Sequence, residues 1–273
     1  MNWMIFLDGL LVISILAFAA WLLSLRLKDV SIVDSAWSLM FLAAAVVYLF
    51  QSGSYEIKNI ILISLVSIWA VRLSAHLTWR NWGEPEDRRY QVIRAKYSPN
   101  FEFKSLFIIF IFQAILAWVV TLPLLGAFTK PLNSSPITIL LFSTGIIVWL
   151  VGMFFETVSD WQLAKFKNNP ANHGKVMDKG LWKYSRHPNY FGECVIWWGF
   201  YLLALSVGAW WSILAPLIMT WLLLKFSGVV MLEETITERR PAYNNYIKNT
   251  NSFFPGLAKS SGKNTESFSE EHV

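Results

Sequence analysis

The sequence predicts an all-α integral membrane protein, a bundle of about seven transmembrane helices. Hydrophobic residues make up 55% of the 273-residue chain and charged residues only 15%, whereas soluble domains carry roughly 25% charged residues. Several apolar runs reach the roughly 20 residues that a helix needs to cross a bilayer. The basic residues gather in alternate connections between these runs, as the topology of a membrane protein requires.

The apolar runs define the predicted helices. Five spans are predicted at residues 3–25, 32–50, 57–79, 106–128 and 137–158. The run 190–224 is too long for one span, so we expect two short helices separated by a break at residues 206–209. Residues 257–273 are polar and rich in Ser, Lys and Glu, which predicts a disordered tail after a single domain at 1–256.

The charge pattern predicts the orientation. Of the 23 lysines and arginines, only Lys58 and Lys130 fall on one side, and Arg72 lies within a span. All others fall on the opposite side, which the positive-inside rule makes cytoplasmic. The N-terminus is therefore predicted outside and the C-terminus in the cytoplasm. The first run is followed, not preceded, by basic residues, so we expect a retained helix and not a cleaved signal.

Several function classes find no support in the sequence. The single cysteine, Cys194, excludes an intrachain disulfide. Neither a Gly-x-Gly-x-x-Gly nor a Walker loop is present. The four histidines lack metal-ligand spacing, so we predict no metal. The basic stretches lack the interleaved aromatic residues of nucleic-acid sites, so we predict no nucleic-acid partner.

Asp34 is the first polar residue that conflicts with its apolar surroundings, because it lies near the start of the second span. Acidic residues within spans are rare and usually functional. Burial favours the protonated form of a carboxyl group, which makes Asp34 a candidate proton donor. The structural alternative is a carboxylate that stabilises the helix N-terminus or pairs with Arg72.

Arg72, His76 and Arg80 follow one another at intervals of four residues in the third span, so they share one helix face. Such a stripe can bind an anion or polarise a carbonyl group. Alternatively, Arg80 reaches the lipid headgroups and His76 is structural. With Asp34, we predict Arg72 and His76 to be catalytic. The charged segment 82–90 that follows either belongs to the site or is a solvated loop, and the sequence favours neither interpretation.

Glu156 and Asp160 are four residues apart near the cytoplasmic end of the fifth span, and they therefore share a face. Acidic side chains are unfavourable at a helix C-terminus, which simple solvation does not explain. Hydrogen bonding to a hydroxyl or amide group of a ligand would explain both positions.

The segment 180–193 is the most polar stretch next to a predicted span. Pro188 suits the first turn of a helix, and the free amide groups of a helix N-terminus favour phosphate or carboxylate. The alternative is an interfacial belt of aromatic and basic residues. The side chains that we predict to bind a ligand here are Tyr184, Arg186, His187, Asn189, Tyr190 and Glu193.

Residues 233–246 follow the last span and are predicted to form a short amphipathic helix that covers the cytoplasmic opening of the bundle. Glu233 and Arg240 would share one face of this helix. Glu233 and Tyr243 complete the predicted ligand-binding residues.

Together these motifs resemble the steroid 5-alpha-reductase-like family of membrane reductases, and most closely its bacterial branch. The resemblance spans nearly the whole chain. It implies a seven-helix bundle that opens to cytoplasmic NADPH in the inner membrane of a bacterium. The matching motifs are Glu156-x-x-x-Asp160, residues 180–193, Glu233-Glu234 through Arg240-Pro-Ala-Tyr243-x-x-Tyr246, Arg72-Leu-x-x-His76-Leu and Glu86-Asp87-x-Arg89-Tyr90.

The resemblance also implies an activity and roles for individual residues. Family members transfer a hydride to the β-carbon of an alkene conjugated to a ketone. Asp160 and residues 189–193 would hold polar parts of the nucleotide, and Lys167 and Lys175 fall where the reductases place arginines near the phosphates. The Gln-Glu pair that supplies the acid in the steroid enzymes is missing, and Asp34 is its best substitute. We expect a lipid-like substrate, such as a sterol, isoprenoid or fatty-acyl enone, and no obligatory protein partner.

Two other classes of function stay open. Membrane S-adenosylmethionine methyltransferases of the isoprenylcysteine carboxyl methyltransferase type share Arg-His-Pro-x-Tyr-x-Gly and a later Glu-Glu with Tyr-x-x-Tyr. A lipid-binding or scaffold protein without activity would need the polar segment 180–193 only for packing. The response of the protein to NADPH and to S-adenosylmethionine separates these classes.

Overall fold

The structure, a computed structural model, describes residues 2–226 and 241–257. Every regular element assigned within these ranges is helical. Five of the helical segments are long and apolar enough to cross a membrane, which confirms the predicted all-α membrane bundle. The number of seven spans and the orientation of the termini stay predictions.

The helices are numbered in chain order. The first three are α1 (Trp3–Leu27), α2 (Ile32–Ser52) and α3 (Ile57–Asn81). A short helix α4 (Arg88–Tyr97) and α5 (Phe101–Ser105) lead through a π-helical turn at Leu106–Ile111 into α6 (Phe112–Val120). The remaining helices are α7 (Leu122–Thr129), α8 (Pro136–Lys167), α9 (Pro188–Ser206), α10 (Leu214–Trp221) and α11 (Tyr243–Asn249).

The fourth predicted span is interrupted where the sequence suggested a continuous helix. The spanning segment runs over Phe101–Val120, earlier than the predicted 106–128, and a new helix begins at Leu122. Pro123 lies in the first turn of that helix, where its missing N–H and fixed φ are tolerated. Inside one continuous helix, Pro123 would have removed a hydrogen bond.

Helix α8 continues to Lys167, well past the predicted end at residue 158. The added turns contain Gln162, Leu163 and Ala164, which are good helix formers. Glu156 and Asp160 therefore lie inside the helix. The prediction that they sit at an unfavourable helix C-terminus is wrong, although their shared face is not affected.

The break predicted at residues 206–209 is present. Helix α9 ends at Ser206, and a single 3-10 turn over Trp210–Ile213 leads into α10. Gly208 has a φ of +74°, a left-handed conformation that glycine adopts without strain. Neither α9 nor the segment Trp210–Lys225 belongs to the five long apolar helices.

The described chain forms two compact units. The first contains residues 2–150 and 196–219, and the second contains residues 151–195 and the described residues from Thr220 onward. In the first unit, α2 packs between α1 and α3, and Met40, Phe41 and Ala44 are fully buried. A single domain over residues 1–256 stays a prediction.

Lys58 and Lys130, the two exceptions to the charge pattern, both bind backbone carbonyl groups in the first unit. The buried Lys58 amine donates to the carbonyl oxygens of Ala127 and Lys130, each at 2.5 Å. The Lys130 amine donates to the carbonyl oxygen of Gly208 at 3.0 Å. Carbonyl groups at the end of a helix lack intrahelical partners, so Lys58 serves as a cap for α7.

Candidate functional site

Asp34 lies in the first turn of α2, and both of its carboxylate oxygens are bound. The Arg89 guanidinium pairs with Oδ2 at 2.6 Å, and the Tyr90 hydroxyl donates to Oδ1 at 2.5 Å. Arg89 and Tyr90 lie in the first turn of α4, which Asp87 caps by accepting from the Arg89 backbone N–H at 2.9 Å. The result is a carboxylate, a cation and a phenol in direct contact, which we call the Asp34 cluster.

Tyr90 is the most buried member of the Asp34 cluster, with 6% of its surface exposed. Burial, together with the negative charge of Asp34, raises the pKa of the Tyr90 hydroxyl well above its usual value of 10. The phenol therefore stays protonated at neutral pH. The Gln113 amide donates a further hydrogen bond to the Tyr90 oxygen at 3.3 Å.

A second set of contacts fixes this segment to the turn between α1 and α2. Glu86 accepts from the Val30 backbone N–H at 2.9 Å and from two Arg94 nitrogens at 2.7 and 2.8 Å. The Ser31 hydroxyl accepts from the Asp87 backbone N–H at 2.8 Å. Burial would raise the pKa of Glu86, but the hydrogen bonds from Arg94 and Val30 outweigh it and hold the pKa below its usual value. Residues 86–90 therefore do not form a solvated loop, which was one of the two interpretations left open by the sequence.

Arg72 and His76 both lie on α3 and are half-buried, while Arg80 is exposed. The spacing of four residues therefore puts the three side chains on one helix face, as predicted. Arg80 donates to the side-chain oxygen of Asn81 at 3.1 Å, and the His76 ring lies 6.1 Å from the Trp79 ring. A catalytic role for Arg72 and His76 stays a prediction.

In the second unit, the predicted binding residues begin with two buried acids on α8. Glu156 is 2% exposed and Asp160 is 7% exposed. The Asn189 amide on α9 donates to Asp160 Oδ1 at 3.2 Å. This bond joins two helices that the sequence alone could not place together.

Gly192 explains how closely α8 and α9 approach each other in this unit. A Cβ atom at Gly192 would lie 2.4 Å from the Glu156 backbone nitrogen and 2.7 Å from the Gly152 carbonyl oxygen. Real Cβ atoms do not approach other atoms so closely. The glycine in the 180–193 motif is therefore a requirement of helix packing, and it keeps Asn189 within reach of Asp160.

Arg186 and His187 are buried before the first turn of α9, with 7% and 5% of their surface exposed. The Arg186 guanidinium donates to the carbonyl oxygens of Ile247 at 3.1 Å and Thr250 at 2.6 Å. These carbonyl groups lie at the end of α11, where cations are favourable. The His187 ring stacks on the Tyr190 ring at 5.7 Å, nearly parallel. Part of the predicted anion-binding group thus holds α11 in place.

Tyr243 and Tyr246 of α11 are both buried, and their rings meet edge to face at 5.4 Å. The Tyr246 hydroxyl donates to the Trp182 carbonyl oxygen. This contact anchors α11 to the 180–193 segment. Glu233, which we predicted at the start of the same amphipathic helix, lies outside the described residues.

The other predicted binding residues are more open. Glu193 is half-buried, Tyr184 is 42% exposed, and Lys167 and Lys175 are exposed. Lys167 borders a small cavity of about 250 Å³ at the end of α8. That cavity is lined by Phe166, Lys167, Asn172, His173 and Gly174.

The sequence reasoning missed Arg89, Tyr90 and Gln113 as members of the site. Gln113 carried a usable signal, because it is the only amide or ionisable side chain in the apolar run 106–128. Arg89 and Tyr90 gave no signal of their own beyond the motif Glu86-Asp87-x-Arg89-Tyr90. Within residues 2–226 and 241–257, no group of three or more His, Cys, Asp or Glu side chains is placed to hold a metal ion.

Comparison with known proteins gives the family. A family model described as a protein of unknown function (DUF1295) matches residues 20–250. The chain belongs to this family. The DUF1295 family includes steroid 5-alpha-reductase-like proteins, which confirms the resemblance predicted from the motifs.

Three similar proteins extend this result. An uncharacterized protein of Schizosaccharomyces pombe is 27% identical over 281 residues, which cover 92% of this DUF1295 chain and 80% of the yeast protein. The 3-oxo-5-alpha-steroid 4-dehydrogenase 1 of Bos taurus is 36% identical over 69 residues, 25% of this chain and 27% of the bovine protein. A probable O-methyltransferase of Ustilaginoidea virens is 44% identical over 48 residues, 18% of this chain and 17% of that protein. No solved structure matches.

Proposed function

We propose that this protein is a membrane reductase that uses NADPH to reduce a carbon–carbon double bond conjugated to a carbonyl group in a lipid-like substrate. The observation that carries the proposal is the Asp34 cluster, in which a buried, protonated phenol is held by a carboxylate beside an arginine. The similarity to 3-oxo-5-alpha-steroid 4-dehydrogenases of cattle, mouse and rat supports it.

The chemistry of this reduction needs a proton donor at the carbonyl oxygen, because negative charge develops there as the β-carbon accepts a hydride. Tyr90 is the candidate donor. Its one O–H proton is donated to Asp34 Oδ1 in the structure and would turn to the carbonyl oxygen once the substrate is bound. Asp34 orients the phenol, and the Arg89 cation offsets the charge of Asp34 at 2.6 Å. The Gln113 amide can stabilise the phenolate that remains after proton transfer, because it already donates to the Tyr90 oxygen.

The second unit contains donors and acceptors of the kind that bind a dinucleotide. Bound NADPH would supply the hydride. Asp160 and Asn189 offer a carboxylate and an amide of the kind that bind hydroxyl and carboxamide groups. Lys167 and Lys175 are exposed cations that suit phosphate as point charges.

A methyltransferase is the second candidate, because the match to a probable O-methyltransferase has 44% identity, although it is short. It would use S-adenosylmethionine in place of NADPH. The Asp34 cluster favours the reductase, since a methyl transfer does not require a buried phenol that donates to a carbonyl oxygen.

Nucleotide binding tests the proposal directly. We expect NADPH, and not S-adenosylmethionine, to raise the Tm of the protein purified in nanodiscs, because a ligand that binds only the folded state stabilises it. Asn189→Ala should abolish the shift. Asn245→Ala, an exposed position on α11, is the matched control and should retain it.

Two other outcomes would contradict the proposed reductase. A Tm shift with S-adenosylmethionine alone would favour the methyltransferase. No shift with either ligand would refute both enzymes and leave a lipid-binding or scaffold protein.

A further inference from the structure

Two lysine side chains lie at Tyr97, where the chain enters the apolar spanning segment Phe101–Val120. The Lys96 amine is 5.5 Å from the centre of the Tyr97 ring, within cation–π distance. The Lys104 amine donates to the Tyr97 carbonyl oxygen at 3.0 Å. Lys96 belongs to the end of α4 and Lys104 to α5, so the turn between these helices brings the two cations to one place. We call Lys96 and Lys104 the lysine pair.

The lysine pair keeps most of its capacity to donate hydrogen bonds. An ammonium group has three N–H donors, and in the described part of the chain the pair uses one of its six, from Lys104 to Tyr97. Glu102 lies two residues before Lys104, but it faces the Arg94 guanidinium at 3.6 Å. Among the described residues, neither lysine of the pair forms an ion pair with a carboxylate. Two positive charges are therefore available to an anion from outside the chain.

An exposed apolar stripe begins beside the lysine pair and continues along the spanning segment. Its side chains follow one another at intervals of four residues, which keeps them close to one helix face. Phe103, Phe107, Ile111 and Ile115 are 63, 52, 37 and 48% exposed, and the Phe103 and Phe107 rings meet at 5.4 Å. In a bilayer, acyl chains cover such a surface, because the hydrocarbon interior contains no water.

We propose that the lysine pair and the apolar stripe together bind one anionic phospholipid. The two ammonium groups would hold its phosphodiester, and an acyl chain would lie along Phe103 and Phe107. Charge selects the class of lipid. Phosphatidylglycerol carries a net negative charge, whereas the choline ammonium of phosphatidylcholine neutralises its phosphate and would meet two further cations. The site is formed by residues of the first unit and does not depend on the proposed reductase.

A diffuse attraction between all basic residues near this membrane surface and anionic lipids is the competing explanation. Arg88 distinguishes the two. It is an exposed cation on the same helix as Lys96, but eight residues separate them, about 12 Å along the helix axis. That separation exceeds the Debye length of about 8 Å at physiological ionic strength. A local site therefore does not require Arg88, whereas a diffuse field depends on it as much as on Lys96.

Native mass spectrometry of the full-length protein in detergent, titrated with phosphatidylglycerol or phosphatidylcholine of the same acyl chains, measures the preference. We expect phosphatidylglycerol to bind at least about tenfold more tightly. Lys96→Gln and Lys104→Gln should each weaken its binding by about fivefold and leave phosphatidylcholine unaffected. Lys104→Arg keeps the charge and should retain binding. Arg88→Gln is the matched control and should bind both lipids like the wild type.

The inference is overturned if the wild type binds the two lipids equally, or if both lysine-to-glutamine variants bind phosphatidylglycerol like the wild type. An equal loss in Arg88→Gln would overturn it in favour of a diffuse field. Inorganic phosphate should not displace the lipid, because it cannot contact the apolar stripe; displacement would assign the lysine pair to a free anion. Since Lys96 is exposed, an unchanged Tm of Lys96→Gln separates lost binding from lost folding. No measurement uses a nucleotide, so failure here leaves the proposed reductase unaffected.

Discussion

The Tyr90 hydroxyl donates to the Asp34 carboxylate at 2.5 Å, and Arg89 pairs with the other oxygen of the same group at 2.6 Å. These contacts join the start of α2 to the start of α4. A largely enclosed carboxylate is stabilised by pairing and hydrogen bonding, and Asp34, whose side chain is 16% exposed, therefore depends on both Arg89 and Tyr90.

Substitution of Asp34 by asparagine should lower turnover more than nucleotide binding. Asp34→Asn removes the charge that orients Tyr90 and pairs with Arg89, so the proton donor loses its position. We expect a fall of about 100-fold in the rate of NADPH oxidation with an enone substrate, and an unchanged Kd for NADPH. Asp8→Asn, a substitution in α1 that keeps an acceptor for Gln51, should have full activity. Full turnover in Asp34→Asn would contradict the proposed role.

Tyr90 should make the stability of the protein sensitive to alkaline pH. Its pKa in the folded protein lies well above 10, whereas an unfolded tyrosine titrates near 10. Above about pH 10 the unfolded state loses this proton first, so stability falls as the pH rises. Tyr90→Phe lacks this group, and its Tm should fall less steeply than that of the wild type between about pH 9 and 11. Parallel curves would show that the buried hydroxyl does not contribute.

Glu86→Gln should destabilise the protein by about 1–3 kcal/mol, because two hydrogen bonds from Arg94 lose their charged acceptor. The effect should depend on pH. The depressed pKa of Glu86 provides stability that is present above its unfolded pKa of about 4.3 and is lost as the pH falls through the folded value. Urea unfolding in nanodiscs at about pH 7 and pH 4 measures both. Glu84→Gln, an exposed position nearby, should change neither value.

Gly192→Ala should destabilise the contact between α8 and α9 by about 1–3 kcal/mol, because the added methyl group cannot fit beside the Glu156 backbone. Gly192→Val adds a larger side chain and should destabilise the protein further. The series Gly, Ala and Val at this position therefore provides its own control. We expect NADPH affinity to fall in the same order, since the Asp160–Asn189 bond depends on this approach. Equal Tm values across the series would contradict the close packing.

Much of the fold could be predicted from the sequence. Helices α1, α2 and α3 begin at the predicted residues, since apolar length is a local property of the chain. The break after Ser206 was predicted from Val207-Gly208. The interruption at Thr121 and the extension of α8 to Lys167 were not. Pro123 within an apolar run is a weaker signal than hydropathy. The same holds for the helix formers Gln162, Leu163 and Ala164, which extend α8.

Only part of the candidate site could be predicted from the sequence. Asp34 stood out because an acid within a span is rare. Its partners did not, because Arg89 and Tyr90 lie 55 and 56 residues further along the chain. Arg186 was predicted to bind an anion, yet the structure also uses its guanidinium to hold the end of α11.

Hydropathy and charge along the chain already specify a helical membrane bundle in which charged side chains occur where lipid disfavours them. Both follow from the transfer of side chains between water and hydrocarbon, which depends on each segment alone. Which side chains meet could be learned only from the folded chain. The pairing of Asp34 with Tyr90 and the close approach at Gly192 depend on how distant helices pack, and no local pattern encodes that.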